Sequence, residues 1–126
     1  MKRLLPILLS FFVLSSFRTA ASIDEVVNAL KTGNVSAMVP YFDNTIEITL
    51  PDKANSYSKT QAELVLKDFF INNPVKGFTV IHKGQNAGYI YCIGTLVTKN
   101  GNFRTTIQMK QKKDGEVIQE LRFESV

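Results

Sequence analysis

The chain of 126 residues has no tryptophan, one cysteine (Cys92) and one histidine (His82). A single cysteine excludes an internal disulfide framework. One histidine and one cysteine give little support to a zinc site or to a Cys–His nucleophile, each of which needs several such groups together. There is no glycine-rich phosphate loop. No apolar run reaches the about 20 residues of a bilayer span. The remaining composition, 44% hydrophobic and 10% aromatic, is that of an ordinary globular chain, and the length allows one domain.

The first residues have a character of their own. Met1-Lys2-Arg3 precedes an apolar stretch from Leu4 to Leu14, and small residues follow through Thr19-Ala20-Ala21-Ser22. A basic start, a short apolar segment and a small-residue end form the pattern of a secretory signal peptide. Residues 1–21 are read as that signal and residues 22–126 as the domain, with a periplasmic or extracellular destination. Loss of Lys2, Arg3 and Arg18 takes 15 basic side chains to 12, against 11 acidic ones. The exported domain is therefore close to neutral, and the concentrated basic footprint that nucleic acid requires is missing. Cys92, between Tyr91 and Ile93, is expected to be a core thiol.

Ser22-Ile23-Asp24-Glu25 reads as a capping box. Ile23, Val26, Val27 and Leu30 recur at helical spacing until Gly33. Asn34 can cap a short second helix through Met38, ended near Pro40. Thr45 to Leu50 alternates as a half-buried strand, and Pro51 to Ser56 reads as polar loop. Ser58-Lys59-Thr60-Gln61 is a second capping box. It opens a helix with Ala62, Val65, Leu66, Phe69 and Phe70 on one stripe, closed by Asn72-Asn73-Pro74.

From Gly77 onward the period is two, with strands expected at 78–83, 89–98, 102–112 and 116–124. A turn at Asn100-Gly101 would pair Thr98 with Phe103 and Cys92 with Met109. A three-residue loop Lys113-Asp114-Gly115 would set Leu121 against Ile107 and Phe123 against Thr105, which keeps both apolar residues inside. One sheet face then carries Ile90, Cys92, Leu96, Phe103, Ile107 and Met109. The other carries Tyr89, Tyr91, Ile93, Val97 and Ile118.

Two helices, a strand, a helix and a long meander follow the order of the cystatin-like α+β cone of nuclear transport factor 2 and ketosteroid isomerase. Residues 22–124 more closely resemble a domain-of-unknown-function family of small exported Bacteroidota proteins. The resemblance rests on Tyr57-Ser58-Lys59-Thr60-Gln61-Ala62, Phe69-Phe70-Ile71-Asn72-Asn73-Pro74, His82-Lys83-Gly84, Tyr91-Cys92-Ile93-Gly94 and Phe103-Arg104. It implies helices packed on a curved, mainly antiparallel sheet, and it carries over no catalytic residue and no cofactor.

Isomerase chemistry of that fold needs a carboxylate base and two oxyanion donors in one apolar cavity. The acids here fall at caps, turns and outward strand positions, and no paired carboxylates emerge. If Phe78 and Val80 face the concave side, His82 does too, as the one candidate base. By analogy with other cones, the mouth is expected near Tyr41, Phe42, Tyr57, His82, Met109 and Gln119. The band Tyr89, Tyr91, Ile93, Val97 and Ile118 is expected to join two copies through the outer sheet face. The reading is thus an exported, non-catalytic binding module, engaging a small apolar ligand in the cone or an envelope protein or second copy on the sheet. An enzyme using His82 and a structural envelope homodimer stand as alternatives.

Overall fold

The computed structural model describes residues 21–126, and the expected signal peptide lies outside them apart from Ala21. Helix α1 (Ala21–Thr32) and helix α2 (Val35–Met38) lead through a 3-10 turn (Val39–Tyr41) into β1 (Phe42–Leu50) and β2 (Lys53–Ser58). Helix α3 (Lys59–Asn72) follows, then β3 (Val75–Asn86), β4 (Tyr89–Thr98), β5 (Gly101–Lys112) and β6 (Gly115–Ser125). One six-stranded sheet results, in the order β2-β1-β6-β5-β4-β3. All neighbours are antiparallel except β1 and β6. Among the described residues no helix is long and apolar enough to cross a membrane.

The helices form where local chemistry favours them. In α1 the stripe Ile23, Val26, Val27 and Leu30 is buried, and Gly33 ends the helix at φ +68°. Ser22 lies inside α1, so it does not cap it as expected. Asn34 caps α2 by accepting the Ala37 N–H at 3.2 Å. The second capping box is realised in both directions: Gln61 N–H donates to the Ser58 hydroxyl, and Ser58 N–H donates to the Gln61 side chain. Ala62, Leu66, Phe69 and Phe70 of α3 face the sheet.

The sheet departs from the sequence reading in four places. Lys53–Ser58 is an edge strand rather than loop; its side chains are almost all exposed, so no apolar alternation marks it. The β4–β5 turn is Lys99-Asn100, with Thr98 opposite Gly101 and Cys92 opposite Ile107. Tertiary ties hold it there. The Asn100 amide donates to the Asn72 carbonyl at 2.5 Å, and Lys99 N–H donates to the Pro74 carbonyl at 2.9 Å. The shift is by two residues, so every side chain keeps its expected face.

The β5–β6 turn is Lys113-Asp114, followed by Gly115 at φ +128°. The extra residue assigned to the loop lies instead at Gln119, a bulge between the pairs Gln108–Glu120 and Met109–Ile118. Beyond the bulge Leu121 still meets Ile107 and Phe123 still meets Thr105. Before it, parity is inverted: Ile118 is fully buried and Glu116 is buried with it. A second bulge at Ile81 inverts the end of β3 in the same way.

Candidate functional site

The concave side of the sheet is filled. Phe69 stands 5.2 Å from Phe103 and 5.1 Å from Phe123 between ring centres, and Phe70 meets Phe123 edge-on at 6.0 Å. Such contacts add to what burial alone contributes. Phe123, Ile107, Met109, Leu121 and Ile118 have no exposed surface. The Cys92 thiol is in the same layer, and burial raises its pKa.

The six residues expected at a cone mouth are not brought together. Phe42 and Met109 are closed core residues. His82 pairs with Ile93, on the face turned away from the helices, because the Ile81 bulge reverses the alternation that Phe78 and Val80 establish. It is exposed there, its ring 5.7 Å from that of Tyr91. Tyr57, opposite Ile46, packs half-buried against the core, as does Tyr41. The Tyr41 hydroxyl donates to Glu25, and that bond is the main reason its pKa is raised. Gln119 is the bulge residue, and its amide donates to Asp43 at 3.0 Å.

Asp43 anchors that bulge. It also accepts from the Lys112 ammonium at 3.1 Å and from the Asn44 N–H at 2.8 Å. The Gln119 bond, with Asn44 and Lys112, holds its pKa below the ordinary value against the opposing effect of burial. Asp43 is the second residue of β1. Its partners stand 69 and 76 positions away, and no local pattern announces them.

Of the five residues expected on the outer face, Ile118 belongs to the core, inverted by the Gln119 bulge. Tyr89, Tyr91, Ile93 and Val97 do lie on the helix-free face, half-buried among their neighbours along β4. The Tyr91 ring is laid over Gly84 of β3. Lys110 sits over the Tyr89 ring, 5.4 Å from its centre. Toward β5, β6 and β1 the same face turns ionic. Register places Gln108, Glu120 and Glu47 in line with Tyr91, and Arg104 and Glu124 in line with Thr95. Arg122 meets Glu120 at 2.9 Å; that bond chiefly raises its pKa, with Glu124 and Glu47 adding to it.

Among the described residues no three His, Cys, Asp or Glu side chains are grouped as metal ligands. No side chain among them hydrogen-bonds the His82 ring. The helix-free face is aromatic and aliphatic at one side and ionic at the other.

Known proteins place this geometry. No curated protein matches the chain. Among solved structures, a DUF4783 family protein from Bacteroides fragilis YCH46 is 31% identical, covers 81% of this chain and 96% of its own, and superposes with a TM-score of 0.77. One from Bacteroides ovatus is 28% identical over 81% of this chain and 93% of its own, with a TM-score of 0.78. A nuclear-transport-factor-2-like protein from Cytophaga hutchinsonii, 14% identical, covers 86% of this chain and 90% of its own at a TM-score of 0.63, which bears on the fold alone. The family profile "Domain of unknown function (DUF4783)" matches residues 23–124, and the chain belongs to that family, on a nuclear-transport-factor-2-like α+β fold.

Proposed function

We propose that this protein is an exported, non-catalytic binding module that works through the helix-free face of its sheet, and that its partner there is a second copy. The row Tyr89, Tyr91, Ile93 and Val97 carries the reading. Aromatic and aliphatic side chains on an uncovered sheet face are the composition of an interface core, and the polar residues around them are that of a rim.

The charge pattern favours a like partner. Arg104, Lys110 and Arg122 share this face with Glu47, Glu120 and Glu124. A twofold interface must be complementary to itself, and a balanced mosaic meets that condition where a one-signed patch does not. The sheet edges are poor alternatives. β3 is broken by residues left out of register at Lys76 and Ile81, and β2 is short and polar; both features discourage strand addition. A ligand inside the cone is not part of this reading, because Phe69, Phe70 and Phe123 occupy that space. Catalysis through His82 loses its ground with the side chain on the opposite face.

Sedimentation equilibrium at high micromolar protein tests the pairing. A dimer is expected for the wild type and a monomer for both Tyr91→Glu and Val97→Glu. The second variant guards against an effect of Tyr91 on folding. A wild-type monomer, or a dimer indifferent to both changes, overturns the reading. Export is checked separately: N-terminal sequencing of native protein should begin near Ser22, and recovery of Met1 would refute it.

A further inference from the structure

A groove of about 550 Å³ runs between α3 and the β1–β2 turn, on the helix side of the sheet, whereas His82 and Tyr91 lie on its other face. Leu50, Val65, Phe69 and Phe103 form its apolar base, and Asp52 and Asp68 stand on its rim. Neither carboxylate forms an ion pair among the described residues; the cations that do pair serve Glu63, Asp24, Asp43 and Glu120. Asp68 accepts only a long bond, 3.5 Å, from the Asn72 amide. Lys53 shares the rim, which leaves the lining net negative in a domain that is otherwise near neutral.

Leu64 lines the groove and is 64% exposed. Ile71, seven residues further along α3, is 74% exposed; Lys67 and Asp68 stand between the two, and Ile71 lines a separate recess beside Gly33 and Ser36. Residues seven apart lie on one helix face. Neither serves the core, since the buried stripe of α3 is Ala62, Leu66, Phe69 and Phe70. An open groove with an apolar base, an exposed aliphatic flank and unpaired carboxylates is complementary to one kind of partner.

We infer that this groove docks a basic amphipathic segment of another polypeptide. Its apolar side chains would lie on Phe69, Phe103 and Leu64, and its Lys or Arg heads would reach Asp52 and Asp68. Two carboxylates against the one ammonium of Lys53 favour a basic segment over an acidic one. The site is independent of the dimer face, so either assignment can fail alone.

Two capped dodecapeptides, one alternating leucine with lysine and one alternating leucine with glutamate, provide the probes. Amide shifts of the isotope-labelled protein are followed at low salt. The lysine peptide should move Leu64, Asp68, Phe69 and Phe103, and the glutamate peptide should not. Asp52→Asn and Asp68→Asn should each weaken binding about two- to fivefold, the scale of an exposed charge contact. Val97→Glu should leave it unchanged. Both Asp positions are exposed, so neither variant threatens folding. Equal response to both peptides, shifts confined to β4, or no shift at millimolar lysine peptide would each overturn the inference.

Discussion

The phenol of Tyr91 on β4 lies across Gly84 on β3 so closely that a β-carbon at position 84 would stand 2.5 Å from the phenolic oxygen. The same two strands repeat the device on the opposite face. Phe78 of β3 covers Gly94 of β4, where a β-carbon would meet both the Phe78 ring and the Thr79 carbonyl oxygen at 2.5 Å. Each glycine is a seat for a neighbouring ring, but the two seats differ in what could give way. At Gly84 it is the far end of a side chain facing solvent. At Gly94 it is backbone.

Gly94→Ala should therefore destabilise the protein by about 1–3 kcal/mol, the usual cost of forcing extra volume into a packed site. Gly84→Ala should cost less, because Tyr91 can swing outward. Urea melts of the two variants compare them. An equal loss for both would show that the Phe78 and Tyr91 seats are equivalent.

Stability should fall in acid as Asp43 titrates. Its folded pKa lies below the ordinary value because the Gln119 amide, the Asn44 N–H and Lys112 favour the carboxylate. A group depressed in this way adds stability that is present above its unfolded pKa, about 3.9. That stability is lost as pH falls through the lower folded value. Asp43→Asn should flatten this part of the curve, and urea midpoints between pH 5 and pH 2 measure it.

Cys92 should be inert while the protein is folded. It has no exposed surface, and burial raises its pKa, so little thiolate forms near neutrality. Reaction with Ellman's reagent is expected only at the rate of unfolding. Rapid modification of native protein would contradict the core placement.

Phe123 is the centre of the aromatic cluster, in contact range of Phe69 and Phe70. Phe123→Ala should cost about 3–5 kcal/mol by leaving a cavity. An apolar cavity of this kind binds benzene or xenon, so either should recover part of the lost melting temperature. No recovery would mean that the core collapses into the space.

Glu116 is only 7% exposed, and one of its carboxylate oxygens has no hydrogen-bond partner among the described residues. Glu116→Met keeps the length of the side chain and removes the polar atoms. It should leave stability unchanged or raise it by up to about 1–3 kcal/mol, the cost of a buried unsatisfied group. A clear loss would reveal a partner for Glu116.

Short-range chemistry was legible in α3, at the end of α1 and along β4, though not at Ser22, which lies inside α1, nor at the β4–β5 turn, which falls at Lys99-Asn100. The capping box of α3 needs only Ser58 and Gln61, the end of α1 needs only Gly33, and the faces of β4 follow from strict alternation between Tyr89 and Thr98. Family membership could be read from short motifs spread between Tyr57 and Arg104. Strand β2 could not, because an exposed edge strand has no buried face to pattern its residues. Nor could the positions of Gln119 and Ile81. A strand has period two, so one unpaired residue exchanges the two faces for everything beyond it. Where that residue falls depends on distant partners: Asp43 holds Gln119, and the core receives Ile118. Tertiary structure therefore decided that Ile118 is core rather than interface and that His82 looks away from the cone. The faces of these residues were set by contacts between segments far apart in the chain.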